Sequence, residues 1–169
     1  MSSRPGYWVE ALGSHDRLSF SCGVPDLDQY LHAQAGQDAK RKVAAPFVVV
    51  DANRSAAGYY TLSAYAIRPA ELPSDIARKL PKYPVIPATL LGRFAISQAH
   101  QGQKLGRFLL MDALFRSWQN TGQVASVGVI AEAYNDSVRT FYLHHEFIPL
   151  VDHPRKLFIA MSTIQKAFT

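Results

Sequence analysis

A chain of 169 residues with 48% hydrophobic and 18% charged content is long enough for one domain with a sizeable core, and too apolar for a disordered segment. Its net charge of +5 and pI near 9.4 favour a polyanionic partner, and its single cysteine, Cys22, excludes an intrachain disulfide and speaks against a cysteine-based metal site. No run approaches the roughly 18 apolar residues of a transmembrane helix, and Met1 to Gly6 lacks the apolar segment of a signal peptide, so the expectation is a cytoplasmic protein that binds no membrane.

Along the chain, Tyr7–Leu12 reads as a first strand. From Asp26 the apolar residues Leu27, Tyr30, Leu31 and Ala35 recur at helical spacing, which predicts a helix ending near Lys40. Pro46–Val50 is β-branched, Asp51–Ser55 has turn chemistry, and Gly58–Tyr65 follows as a strand, so a hairpin is expected. A helix over Ser74–Leu80 is bracketed by Pro73 and Pro81, with Ser74 as its cap. A strand over Ala88–Ile96, a glycine turn and a helix over Leu105–Trp118 come next. Val124–Ala131 is a further strand, Asp136–His144 a short helix, and Ile148–Leu150 with Lys156–Met161 close the sheet. Strands that first form a meander and then interleave with helices indicate an α/β (α+β) sandwich with a mixed, mostly antiparallel sheet flanked by helices, as one domain over 1–169.

The glycine turn Gln101-Gly102-Gln103-Lys104-Leu105-Gly106 is the most informative stretch. A turn between strand and helix aims free backbone N–H groups at one spot, at the positive end of a helix dipole, which suits a phosphate. The mononucleotide P-loop spacing is absent, and Gly102 and Gly106 alone do not make a dinucleotide fingerprint. The stretch resembles the acyl-CoA pyrophosphate loop of the GNAT acetyltransferases, Gln/Arg-x-x-Gly-x-Gly/Ala, with Lys104 where that family has its first motif glycine. A non-glycine residue there is strained if the position needs φ > 0.

The segment from Tyr134 to Phe147 resembles the last signature of the same family, with Asn135, Tyr142 and Phe147 at the family's intervals. Val138 replaces a small residue and Glu146 a glycine, so a shifted helix end is expected after Tyr142. Phe20 to Leu31, Gly58-Tyr59-Tyr60-Thr61-Leu62-Ser63 and Leu91 to Ile96 are similar to one branch of the family. That branch is the TacT-like toxins of type II toxin–antitoxin pairs, which acetylate the free amine of aminoacyl-tRNA.

The resemblance implies a GNAT acyl-CoA N-acyltransferase fold whose sheet splays after the Ala88–Ile96 strand, with acetyl-CoA as co-substrate and no metal. Backbone groups of Phe94, Ala95 and Ile96 would orient the pantetheine. The amides of Gln101, Gly102, Gln103, Lys104, Leu105, Gly106 and Arg107 would hold the pyrophosphate, with Asn135 helping to seat the CoA arm. Tyr142, protonated at pH 7, would donate a proton to the leaving thiolate. Arg93 is the candidate contact for the tRNA acceptor end, and the basic run Lys40-Arg41-Lys42 is a second candidate tRNA contact. Such basic clusters are also common at solvated helix ends. Adjacent His144 and His145 cannot face one point from a helix, and Cys22 fits a buried or capping role better than a nucleophilic one. The partners implied are aminoacyl-tRNA, a ribbon-helix-helix antitoxin that alone reaches operator DNA, and a second copy in a homodimer. The alternatives are a GNAT acting on a small amine or a protein N-terminus, and a degenerate form that binds CoA or a partner without turnover.

Overall fold

The computed structural model describes residues 4–169. Its elements are β1 (Trp8–Ala11), α1 (Pro25–Gln29), a π turn (Tyr30–Gln34), α2 (Ala35–Arg41), β2 (Ala45–Val50), β3 (Ala56–Ile67), α3 (Ser74–Ala77), β4 (Ile86–Ile96), α4 (Leu105–Gln119), β5 (Gly128–Glu132), α5 (Asp136–His144), β6 (Ile148–Leu150), β7 (His153–Ala160) and α6 (Met161–Ala167). Seven strands form one sheet in the order β1-β2-β3-β4-β5-β7-β6. The β1–β2, β2–β3, β5–β7 and β6–β7 pairs are antiparallel, and β4–β5 is parallel. The mixed, mostly antiparallel sheet expected from the sequence is therefore the observed one. Parallel neighbours need a crossover, and α4 supplies it, which is why a strand-to-helix turn follows β4. Among the described residues no helix is long and apolar enough to cross a membrane.

The chain divides into two compact units, one of residues 4–63 with Arg93–Phe115, the other of Ala64–Gly92 with Arg116–Thr169. In the first, Val48, Val49 and Val50 are all buried, so β2 is covered on both faces, as its unbroken β-branched run requires. Leu27, Tyr30, Leu31 and Ala35 bury against Val48, Val50 and Tyr59, as their spacing predicts. The helix they belong to is not regular, however. The Tyr30 carbonyl accepts from Ala35 N–H, five residues on, which makes the π turn and takes up one extra residue between α1 and α2. Gly58 on β3 is held to glycine by contact: a Cβ there would lie 2.8 Å from the Ala95 carbonyl oxygen.

In the second unit, Ile67, Ile86, Ala88, Ile130, Leu150 and Phe158 form the core. Strand β5 starts at Gly128 rather than Val124. Val124 N–H turns back to the Asn120 carbonyl, and Val127 N–H goes to Pro87, so the first half of the apolar run is a connection and Val124 stays exposed. Ser74 does not cap α3. Pro73 is the capping position, its carbonyl accepting from Ile76 and Ala77, and α3 stops at Ala77. Beyond the elements expected from the sequence, α6 buries Ile164 and is followed by Phe168, which stacks on Trp118, ring centroids 6.1 Å apart.

Candidate active site

In the first unit, the turn after β4 is tied down from its own ends. Ser97 N–H donates to the Ala57 carbonyl and Gln98 N–H to Ser21, both at 2.8 Å. The Gln101 carboxamide donates to the Ile96 carbonyl at 3.0 Å and to Cys22 at 3.3 Å. The Phe20-Ser21-Cys22-Gly23 segment thus acts through its backbone carbonyls, as a strut for the turn. Gly23, at φ +93, leaves room for Gln98: a Cβ there would meet its carboxamide nitrogen at 3.0 Å. On the other side Tyr7 donates to Gln103 Oε1 at 3.1 Å, and the Arg4 guanidinium donates to the Gln103 carbonyl.

Two residues of the turn are left-handed, Gly102 at φ +82 and Lys104 at φ +58. The first helical hydrogen bond runs from Phe108 N–H to the Lys104 carbonyl. The amides of Leu105, Gly106 and Arg107 therefore come before the first in-helix donor and have no acceptor within the helix, at the start of a 15-residue helix whose dipole favours an anion. Leu105 is buried and anchors the first turn, while Gln101 to Lys104 and Arg107 are exposed. Such backbone donors suit an oxyanion, and the two cationic residues of the segment, Lys104 and Arg107, are exposed. Phe94, Ala95 and Ile96 lead into this turn on β4, which runs on past Leu91, the last of its residues registered with β5.

Arg93, also in this unit, is half-buried. Its guanidinium sits 3.7 Å from the Tyr30 ring centroid, and the Tyr30 hydroxyl donates to Asp38 Oδ2 at 2.8 Å. Hydrogen bonds from Gln34 and Tyr30 hold the Asp38 carboxyl below its ordinary pKa, and the charges of Arg93 and Arg41 act in the same direction. Burial and the Asp38 bond push the Tyr30 phenol up to about 12. Lys40, Arg41 and Lys42 are exposed at the C-terminal end of α2, where cations complement the dipole. Arg93 and Arg41 thus share the neighbourhood of Asp38, a juxtaposition their sequence positions did not suggest. Cys22 N–H donates to Asp28 Oδ1, and burial together with Asp28 raises the thiol to about 11, so at neutral pH it is a protonated, poor nucleophile.

In the second unit, Asn135 and Tyr142 both belong to α5. Asn135 Oδ1 accepts from Val138 N–H at 2.9 Å, so Asn135 caps the helix. Tyr142 is 1% exposed, and burial raises its pKa above the ordinary tyrosine value, so its hydroxyl keeps its proton across the physiological range. The helix ends without the shift expected from Glu146. Glu146 takes φ +70; its N–H bonds the Leu143 carbonyl and Phe147 N–H bonds the Tyr142 carbonyl. That is the Schellman pattern, complete with its apolar contact: the Phe147 ring lies 5.0 Å from Tyr142, centroid to centroid.

No family model matches the chain. It is 32% identical over 146 residues, 86% of each chain, to a tRNA-acetylating toxin of Mycobacterium tuberculosis. Among solved structures it is similar to AtaT complexed with acetyl-methionyl-tRNAfMet, with TM-score 0.89, 31% identity, and 96% and 99% of the two chains covered. It is similar as well to a tyrosine-to-phenylalanine mutant of the AtaT toxin bound to acetyl-CoA and the C-terminus of the antitoxin AtaR, with TM-score 0.84, 27% identity, and 97% and 99% covered. On the extent of the first of these matches, the chain belongs to the family of tRNA-acetylating toxins.

Proposed function

We propose that this chain transfers the acetyl group of acetyl-CoA to the α-amine of an aminoacyl-tRNA and so removes that tRNA from translation. The observation that carries the reading is the turn into α4, where Gly102 and Lys104 bend the backbone so that the first-turn amides converge at a helix start. In this reading the CoA pyrophosphate sits on those amides. The pantetheine hydrogen-bonds Phe94, Ala95 and Ile96, with Asn135 near the CoA arm, and Arg93 with Lys40, Arg41 and Lys42 meets the RNA backbone.

The chemistry follows from the acceptor. An α-amine has a pKa of about 7.7–8.0, so an appreciable fraction is neutral at cytoplasmic pH and needs no strong base. Its nitrogen attacks the thioester carbonyl carbon, and the tetrahedral adduct loses a nitrogen-bound proton to solvent. The carbon–sulfur bond then breaks, and the leaving sulfur takes the Tyr142 hydroxyl proton. Solvent returns a proton to Tyr142, leaving N-acetylaminoacyl-tRNA and CoA. Holding two large substrates together supplies the greater part of the rate, and the buried phenol supplies the acid.

The partners of this reading are an antitoxin of ribbon-helix-helix type, operator DNA reached through that antitoxin, and a second copy of the chain, in the cytoplasm. A degenerate, non-catalytic form is disfavoured because Lys104 and Glu146 keep the left-handed backbone that the glycines of the family provide. The test is incubation of purified protein with labelled acetyl-CoA and total charged tRNA, with deacylated tRNA and small amines in parallel. Label is expected on charged tRNA alone. Label on small amines but not on tRNA would overturn the reading.

A further inference from the structure

Arg93 leaves β4 from a fixed point, because its backbone N–H donates to Thr61 Oγ1 at 3.1 Å and Thr61 is buried. Its guanidinium, 3.7 Å from the Tyr30 ring centroid, is well inside the roughly 6 Å reach of a cation–π contact. Tyr30 is itself held on two sides. The Tyr59 ring lies 6.1 Å behind it at an interplanar angle of 15°, and the Tyr30 hydroxyl donates to Asp38, whose other oxygen accepts from Gln34 at 3.0 Å. Tyr30 and Gln34 are the two ends of the π turn, a rare geometry that concentrates at functional sites. Among the described residues, the guanidinium makes no hydrogen bond or ion pair of its own. A planar group stacked by one face keeps five donors free at its rim.

We propose that Tyr30, anchored through Asp38, is a positioning residue that holds Arg93 as a clamp for a phosphodiester oxygen near the acceptor end of the tRNA, an inference that rests on the tRNA reading above. The stack occupies the face of the guanidinium and fixes its plane, so the rim reaches a phosphate with little rotamer freedom left to lose.

The test is a double-mutant cycle on acetyl transfer to charged tRNA, with Arg93→Ala, Tyr30→Leu and the double variant, together with Tyr30→Phe and Arg93→Lys. Arg93→Ala is expected to raise KM for charged tRNA about tenfold, the scale of one charge-assisted hydrogen bond. It should also lower the salt slope of tRNA binding by roughly 0.7–0.9, the value of one lost phosphate contact. Tyr30→Leu does the same, with kcat and KM for acetyl-CoA unchanged, and adds nothing in the Arg93→Ala background. Tyr30→Phe keeps the ring but loses the Asp38 anchor, so its KM for charged tRNA is expected to lie between those of the wild type and Tyr30→Leu. A Tyr30→Leu effect equally large without Arg93, or no effect on KM and slope, would overturn the clamp. Because Tyr30 is a core residue, Arg93→Lys decides the matter if Tyr30→Leu does not fold. Lysine keeps the charge but not the flat stack, so a KM close to that of Arg93→Ala is expected, and a wild-type KM would overturn the proposal. Wild-type protein that transfers nothing to charged tRNA would overturn the functional reading and the clamp together. Normal transfer by the wild type with unmoved variants would overturn the clamp alone.

Discussion

The turn into α4 and the turn out of α5 each place a charged residue in the left-handed region, Lys104 at φ +58 and Glu146 at φ +70. Both positions resemble glycine positions of the family, and both keep the backbone a glycine would give. The two helix ends differ in what they offer. At α4 the proposed binding groups are main-chain amides, on an exposed turn held by Gln98, Gln101 and the carbonyls of Ser21 and Cys22. At α5 the proposed acid is one phenol, buried, on a helix fixed by the Asn135 cap and the Schellman end. A backbone-built site tolerates substitution as long as the chain path survives, whereas a site built on one hydroxyl does not.

The largest effect expected from this contrast is that of Tyr142→Phe. Loss of the proton donor should lower kcat for charged tRNA by about 10²–10⁴-fold, the usual worth of general acid catalysis, with the fold intact by circular dichroism. Retained turnover would erase the difference between the two regions. The pH profile sharpens it. Because burial raises the Tyr142 pKa above its ordinary value, its acidic form persists to higher pH than a free tyrosine's, so no alkaline loss of kcat should appear up to pH 9. On the acid side, kcat/KM should fall as pH drops through about 7.7–8.0, the range of an α-amine.

Gly58→Ala asks the opposite question of the α4 side, where chain path is everything. The added Cβ falls 2.8 Å from the Ala95 carbonyl, a backbone atom that cannot rotate away, on the strand that leads into the turn. A loss of about 1–3 kcal/mol in stability is expected, read by denaturant unfolding, together with a raised KM for acetyl-CoA. Unchanged stability would mean that the path after β4 is more yielding than a backbone-built site allows.

Restoring glycine at the two left-handed positions should separate the regions more gently. Glu146→Gly relieves strain at a helix end and should raise stability by about 0.5–1 kcal/mol with turnover unchanged. Lys104→Gly should gain as much stability but also weaken acetyl-CoA binding a few-fold at low salt, because a cation beside the first-turn amides is lost. Equal binding effects from both would contradict the assignment of the anion site to α4.

The same contrast explains what could be read from the sequence. The order of elements was legible because β-branched runs, helical spacing and glycine turns are local signals, and Asp136–His144 emerges with its expected bounds. The two candidate segments could be located in the sequence because each is short and has its own spacing, Gln101 to Gly106 and Asn135 to Phe147. The start of β5 is not legible in the sequence, because Val124 to Val127 continues the apolar run of the strand, and only the hydrogen bonds to Asn120 and Pro87 show that it is a connection. The Arg93–Tyr30–Asp38 group was not legible, since it joins residues far apart in the chain and depends on a π turn that carries no sequence signature.

The smallest expected effect falls on Cys22, the single cysteine of the chain. The Cys22 thiol is raised to about 11, so at pH 7.5 almost none of it is thiolate, and its contribution to the turn comes from its carbonyl, which accepts from Gln101. Cys22→Ala keeps that carbonyl and the N–H that Asp28 binds, so acetyl transfer should stay within about twofold of wild type and only slight stability should be lost with the small, half-buried side chain. Thiol alkylation at pH 7.5 should likewise be slow and leave early turnover intact. A variant that lost most of its activity with its melting temperature unchanged would show that the side chain itself matters here, and would make the strut of the α4 turn a site of side-chain chemistry like its counterpart on α5.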